Sequence, residues 1–185
     1  MKIETVNLNK DNSVDSFYLS LQSLINISKS FQRRCRDSNH FPHNYLDEVC
    51  SIYIKGPRGS GHTSSVLDYI IRNKLDSVFI THTSAEKYRV TDVFRSKLLK
   101  RKLEFSQENP FTVLSEESEV YTVGFNAITS EENKGFTINT QAVIVDNYSL
   151  IKNRDSLMRN LEVVIAKARS YSQAYKRDFF YITLN

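Results

Sequence analysis

The chain predicts an α/β fold: a three-layer sandwich with a mostly parallel central sheet, plus an N-terminal helix. Three observations carry that prediction. Short apolar runs alternate with segments of helical period. The runs are apolar on both sides, as strands buried on both faces must be. A glycine-rich turn joins one of those runs directly to a helix.

Taken in order, residues 13–36 place Val14, Phe17, Leu21, Leu24 and Ile25 at spacings of three and four, which predicts an amphipathic helix with Ser13 or Ser16 near its cap. Residues 37–49 read as a loop with a short helix or turn. CSIYIK (50–55) is a strand, and TSSVLDYIIRNK brings Val66, Tyr69, Ile70 and Ile71 onto a helical period starting at His62 or Thr63. SVFITHT (77–83) is a second strand, rich in β-branched and aromatic residues. Residues 84–103 read as a helix capped by Ser84. VYTVGFNAI (120–128) alternates as a strand does, residues 130–135 read as a hairpin or loop, and FTINT is a candidate return strand. QAVIVDN (141–147) is a short buried strand ending in an acid. Residues 153–175 carry the longest helical signal, and DFFYITLN closes the chain as a further strand. The division expected is an N-terminal helical extension over 1–49 and one α/β domain over 50–185.

Composition narrows the function classes. The 185 residues are 40% hydrophobic and 25% charged, enough for one sizeable core. No apolar run is long enough to span a membrane and the N-terminus carries no apolar signal core, so a cytoplasmic protein without a membrane partner is expected. Cys35 and Cys50 are isolated thiols, expected to be reduced, and His40 and His43 lack a second ligand cluster for zinc. The net charge is +4, with basic clusters at 29–36 (KSFQRRCR) and 97–102 (KLLKRK), which makes DNA or RNA an expected partner.

The chemistry centres on Gly56-Pro57-Arg58-Gly59-Ser60-Gly61-His62-Thr63, which matches the phosphate-loop pattern G-x-x-x-x-G-K-[ST] at every position except lysine. Glycines let such a loop aim backbone N–H groups at phosphate oxygens, and the helix that follows adds its positive end. Thr63 would offer its hydroxyl to Mg²⁺. His62 stands where the lysine ammonium would reach the terminal phosphates, and its imidazole is shorter and mostly neutral near pH 7. Lys55 or Arg58 is the expected source of the missing charge. AVIVDN (142–147) supplies a buried strand ending in Asp146, the carboxylate that would hold magnesium opposite Thr63.

These residues resemble the P-loop NTPases of the additional-strand, RecA-like type, which include helicases, AAA+ ATPases and viral DNA-packaging motors. IYIKGPRGSGHT stands as Walker A, AVIVDN as Walker B and FFYITLN as the sensor strand. The resemblance implies ATP and Mg²⁺ as cofactors, with Lys55, Gly56, Arg58, Gly59, Ser60, Gly61, His62 and Thr63 around the nucleotide. It also implies Thr63 and Asp146 on the metal, Asp146 and Asn147 at the catalytic positions, and Thr183 or Asn185 sensing the terminal phosphate. A homo-oligomer or a larger viral assembly, in the host cytoplasm, is the implied setting. Two positions depart from the pattern: His62 replaces lysine, and Asn147 replaces the glutamate that orients water and cannot act as a base. Glu131, Glu132 and Asp155 are substitutes without supporting spacing, and Arg154 and Arg159 are the nearest arginine-finger candidates. The expectation is therefore nucleotide binding with weak or partner-dependent hydrolysis. The alternative is an inactive P-loop fold serving as a structural or nucleic-acid-binding module. A nucleotide kinase is less well supported, because residues 104–140 are acidic and polar where a kinase lid needs arginines.

Overall fold

The computed structural model describes residues 6–7, 14–56, 61–108, 123–127, 140–150 and 177–185. The order is β1 (Val6–Asn7), α1 (Val14–Ser38), a single helical turn over Leu46–Cys50, β2 (Ser51–Lys55), α2 (His62–Asn73), β3 (Ser77–Thr81), α3 (Ser84–Glu108), β4 (Val123–Ala127), β5 (Ala142–Val145), a 3₁₀ turn over Tyr148–Leu150, and β6 (Phe180–Leu184). The fold is α/β, as the alternation of apolar runs and helical segments predicts. Among the described residues six strands pair in parallel, in the order β1-β2-β6-β5-β3-β4. The expected helix over 153–175, the hairpin at 130–135 and most of FTINT lie outside the described residues.

Burial on both faces explains why the central strands read as unbroken apolar runs: every residue of β3, β5 and β6 is buried. On one face Ile52, Ile54, Phe79, Ile144, Ile182 and Leu184 meet Phe17, Leu21 and Ile25 of α1, Val66, Leu67 and Ile70 of α2, and Val90 and Phe94 of α3. Burying each such side chain contributes roughly 1.5–3 kcal/mol. The opposite face carries Val78, Ile80, Val143, Val145 and Tyr181, packed with Tyr45, Val49, Cys50 and Phe179. Helix α1 belongs to the core of the sheet through Phe17, Leu21, Leu24 and Ile25.

Polar groups stitch α1 to the N-terminal ends of the strands. The buried Gln32 amide donates through Nε2 to the Phe179 carbonyl at 2.7 Å and accepts from the Phe179 N–H at 2.9 Å. Ser28 donates to the Val49 carbonyl at 2.6 Å, and Arg36 pairs with Asp178 at 2.8 Å. The Phe179 N–H and the Phe179 and Val49 carbonyls thus find partners on α1, as buried backbone groups require.

Helix α3 begins one residue earlier in logic than its first turn suggests. Thr83, and not Ser84, caps it: the Thr83 hydroxyl accepts from the Glu86 N–H at 3.2 Å. Thr83-Ser84-Ala85-Glu86 has the T-x-x-E spelling of a capping box, the signal that identifies the cap. Cys35 and Cys50 are both free thiols. Burial pushes the Cys50 thiol up to about 12 and raises Cys35 to a lesser degree.

Candidate nucleotide site

A parallel sheet points every strand's C-terminal end the same way, so the residues leaving β2, β3, β5 and β6 collect at one edge. Strand β6 lies between β2 and β5, with Tyr53 and Val145 both in register with Thr183. The strand entering the glycine loop and the strand ending in Asp146 are thus separated by one strand.

Gly61 precedes α2 at φ 79°, a left-handed backbone that a Cβ would penalise, and its carbonyl accepts from the Ser65 N–H at 2.9 Å. No side chain caps this helix end and its first turn holds no acidic residue. A helix start leaves its first N–H groups without intrahelical acceptors and carries partial positive charge, which suits an anion.

Thr63, in that first turn, donates its hydroxyl to Asp146, with Oγ1 at 3.1 and 3.2 Å from the two carboxylate oxygens. Asp146 is fully buried, its N–H donates to the Ile80 carbonyl at 2.9 Å, and His62 Nε2 lies 3.7 Å from Oδ1. His62 is only 9% exposed and sits beside the Phe17 ring, 6.0 Å between centroids. Thr63 and Asp146, predicted from opposite parts of the sequence, are therefore in direct contact. Their oxygens are hard ligands of the kind Mg²⁺ takes, with water completing its octahedron. Among the described residues no group of three or more His, Cys, Asp or Glu forms an all-protein metal site.

A cavity of about 480 Å³ opens in front of this contact, lined by Gly61, His62, Thr63, Ser64, His82, Glu86, Arg89, Asn147 and Leu150. Its volume suits a small-molecule ligand. Asn147 follows Asp146 at φ 52°. Asparagine tolerates that left-handed conformation better than a longer side chain does, which gives a backbone reason for Asn147 at this position.

Asn185 ties the end of β6 to both motifs. Its carbonyl accepts from the Gly56 N–H at 2.8 Å, its N–H donates to the Ile54 carbonyl at 3.0 Å, and its Oδ1 accepts from the Ser149 N–H at 2.7 Å. Thr183 is buried with its hydroxyl lacking a partner. Because Ile182 and Leu184 face α1–α3, alternation puts Thr183 on the other face, with Tyr181. Neither Thr183 nor Asn185 lines the cavity, and neither do Lys55 and Gly56. Lys55 is exposed at the end of β2, paired in register with Asn7. Arg58, Gly59, Ser60, Glu131, Glu132, Arg154, Asp155 and Arg159 lie outside the described residues.

The cavity wall formed by His82, Glu86 and Arg89 was not marked by any motif. Its signal is positional, since these residues directly follow β3, the neighbour of β5. Arg89 Nε donates to Glu86 Oε2, and that hydrogen bond, with the Glu86 and Asp146 charges, raises the guanidinium pKa. Among the described residues no helix is long and apolar enough to cross a membrane. No family model, curated protein or solved structure matches the chain.

Proposed function

We propose that the chain is a P-loop nucleotide-binding protein of three-layer architecture, which takes MgATP at the start of α2 and hydrolyses it weakly or only with a partner. The observation that carries this reading is the Thr63–Asp146 contact at 3.1 Å beside an uncapped helix start. In this reading both side chains turn to the cation, and the α2 N-terminus meets the phosphates. The placement of β6 between β2 and β5 supports the same reading, because it sets the loop strand and the aspartate strand one strand apart. Titration calorimetry with ATP and a slowly hydrolysed analogue, in magnesium, tests it. Binding at a hundred times the dissociation constant stabilises the fold by about 2.7 kcal/mol. No heat and no thermal shift at millimolar nucleotide would overturn the proposal.

A second reading, a P-loop fold that no longer turns over nucleotide and serves as a structural or nucleic-acid-binding module, is favoured by His62. Its imidazole packs inward beside Phe17 and Asp146, where lysine would supply a mobile ammonium. His62→Lys distinguishes the two, since faster phosphate release supports the first reading and unchanged release the second. Exposed Arg33 and Arg34 on α1 make nucleic acid the partner to try, within a viral or phage assembly, and affinity that ignores salt would remove it.

A further inference from the structure

The position that lysine occupies in phosphate loops holds His62, so the positive charge for the terminal phosphate has to come from elsewhere. Lys55 stands at the end of β2 and does not line the cavity. Among the described residues that do line it, Arg89 is the one lysine or arginine. It projects from the second turn of α3, across the cavity from Gly61, His62 and Thr63.

We propose that Arg89 is the cation that meets the terminal phosphate of a nucleoside triphosphate, and that Glu86 holds it in reserve until the nucleotide arrives. This rests on the nucleotide-binding reading above. The two side chains form an i,i+3 pair on one face of α3, with the arginine 53% exposed and the glutamate 24% exposed. A pair so open to solvent is weak. A terminal phosphate offers the planar guanidinium a more highly charged partner with two oxygens at bidentate spacing in place of one carboxylate, and arginine prefers such bidentate acceptors. The exchange disturbs no core packing. The start of α3 stays pinned by the Thr83 cap, so the guanidinium swings while the helix does not. Because a diphosphate does not extend as far along the cavity, the exchange separates triphosphate from diphosphate.

The test is calorimetric titration of MgATP and MgADP into the full chain and into Arg89→Ala, Arg89→Lys, Glu86→Gln and the Glu86→Gln/Arg89→Ala double variant. Circular dichroism confirms that each is folded. Wild type should prefer ATP. Arg89→Ala should lose about tenfold in ATP affinity with ADP nearly unchanged, and Arg89→Lys should keep part of the preference. Glu86→Gln should tighten ATP severalfold by freeing the guanidinium, and the double variant should behave as Arg89→Ala does. An ATP preference that survives in Arg89→Ala overturns the proposal, as does Glu86→Gln with unchanged ATP affinity or with the same gain when Arg89 is absent. Wild type that binds neither nucleotide defeats the nucleotide reading itself and this inference with it. Wild type that binds both equally defeats this inference alone.

Discussion

The Thr63 hydroxyl and the Asp146 carboxylate share one hydrogen across 3.1 and 3.2 Å, joining the first turn of α2 to the end of β5. Asp146 has no solvent exposure, and the side chains beside its carboxylate are the Thr63 hydroxyl and the His62 imidazole, whose Nε2 lies 3.7 Å from Oδ1. Asp146→Asn keeps an acceptor for Thr63 and removes a buried charge. Thermal stability without nucleotide should hold or rise. The magnesium-dependent part of ATP affinity should fall about tenfold or more, because an amide is a poor magnesium ligand. Melting curves and titrations with and without magnesium read the two effects separately, and unchanged magnesium dependence would remove Asp146 from the metal site.

Asn147 illustrates how backbone conformation restrains the residue that follows Asp146. At φ 52° a residue with a β-carbon and no local hydrogen bond pays about 1–2 kcal/mol, whereas glycine pays nothing. Asn147→Gly should therefore keep its urea midpoint or gain slightly. Asn147→Glu should lose about 1 kcal/mol, and it should not by itself produce efficient hydrolysis. A stable, fast Asn147→Glu variant would show that the backbone restraint is not the reason for asparagine.

Gln32 makes two hydrogen bonds to Phe179 from a fully buried position. Gln32→Leu has a similar size and leaves the Phe179 N–H and carbonyl without those partners. The expected loss is about 2–4 kcal/mol in chemical denaturation, the cost of two orphaned backbone groups. A loss below 1 kcal/mol would mean that water reaches the gap.

Alkaline pH should destabilise the fold through buried acids that prefer to stay neutral. Burial moves Cys50 from 9.0 to about 12 and Tyr69 from 10.0 to about 12. Both pKa values are raised on folding, so the stability they contribute is complete below pH 9 and declines as pH climbs toward 12. Above the unfolded value each group removes about 1.4 kcal/mol per pH unit. Urea midpoints at about pH 8 and about pH 10.5 should differ accordingly, and Cys50→Ala should lose less between the two than wild type does. Equal slopes would assign the alkaline loss to other groups.

Which parts of this were legible in the sequence follows from how local each signal is. Ile52, Phe79 and Ile144 sit in apolar runs whose neighbours are buried too, and such runs announce a strand in the middle of a parallel sheet. The meeting of Thr63 with Asp146 was readable because each belongs to a short pattern with its own chemistry. The insertion of β6 between β2 and β5 was not, since pairing of Tyr53 with Thr183 joins distant segments that carry no local trace of one another. Strand β1 is two residues long, below the length at which alternation registers. Glu86 and Arg89 escaped because nothing in their immediate neighbours distinguishes them from a solvated helical ion pair; only the placement of β3 next to β5 brings them to the cavity.

The Gln32 clamp at the start of β6 and the Asn185 junction at its end are separated by a five-residue strand. At about 3.3 Å per residue that strand is a ruler of roughly 16 Å, and extended backbone neither stretches nor shortens by any useful amount. The helix that looks, in the sequence, like an appendage holds one end of the strand whose other end fixes the backbone of Gly56 and Ser149.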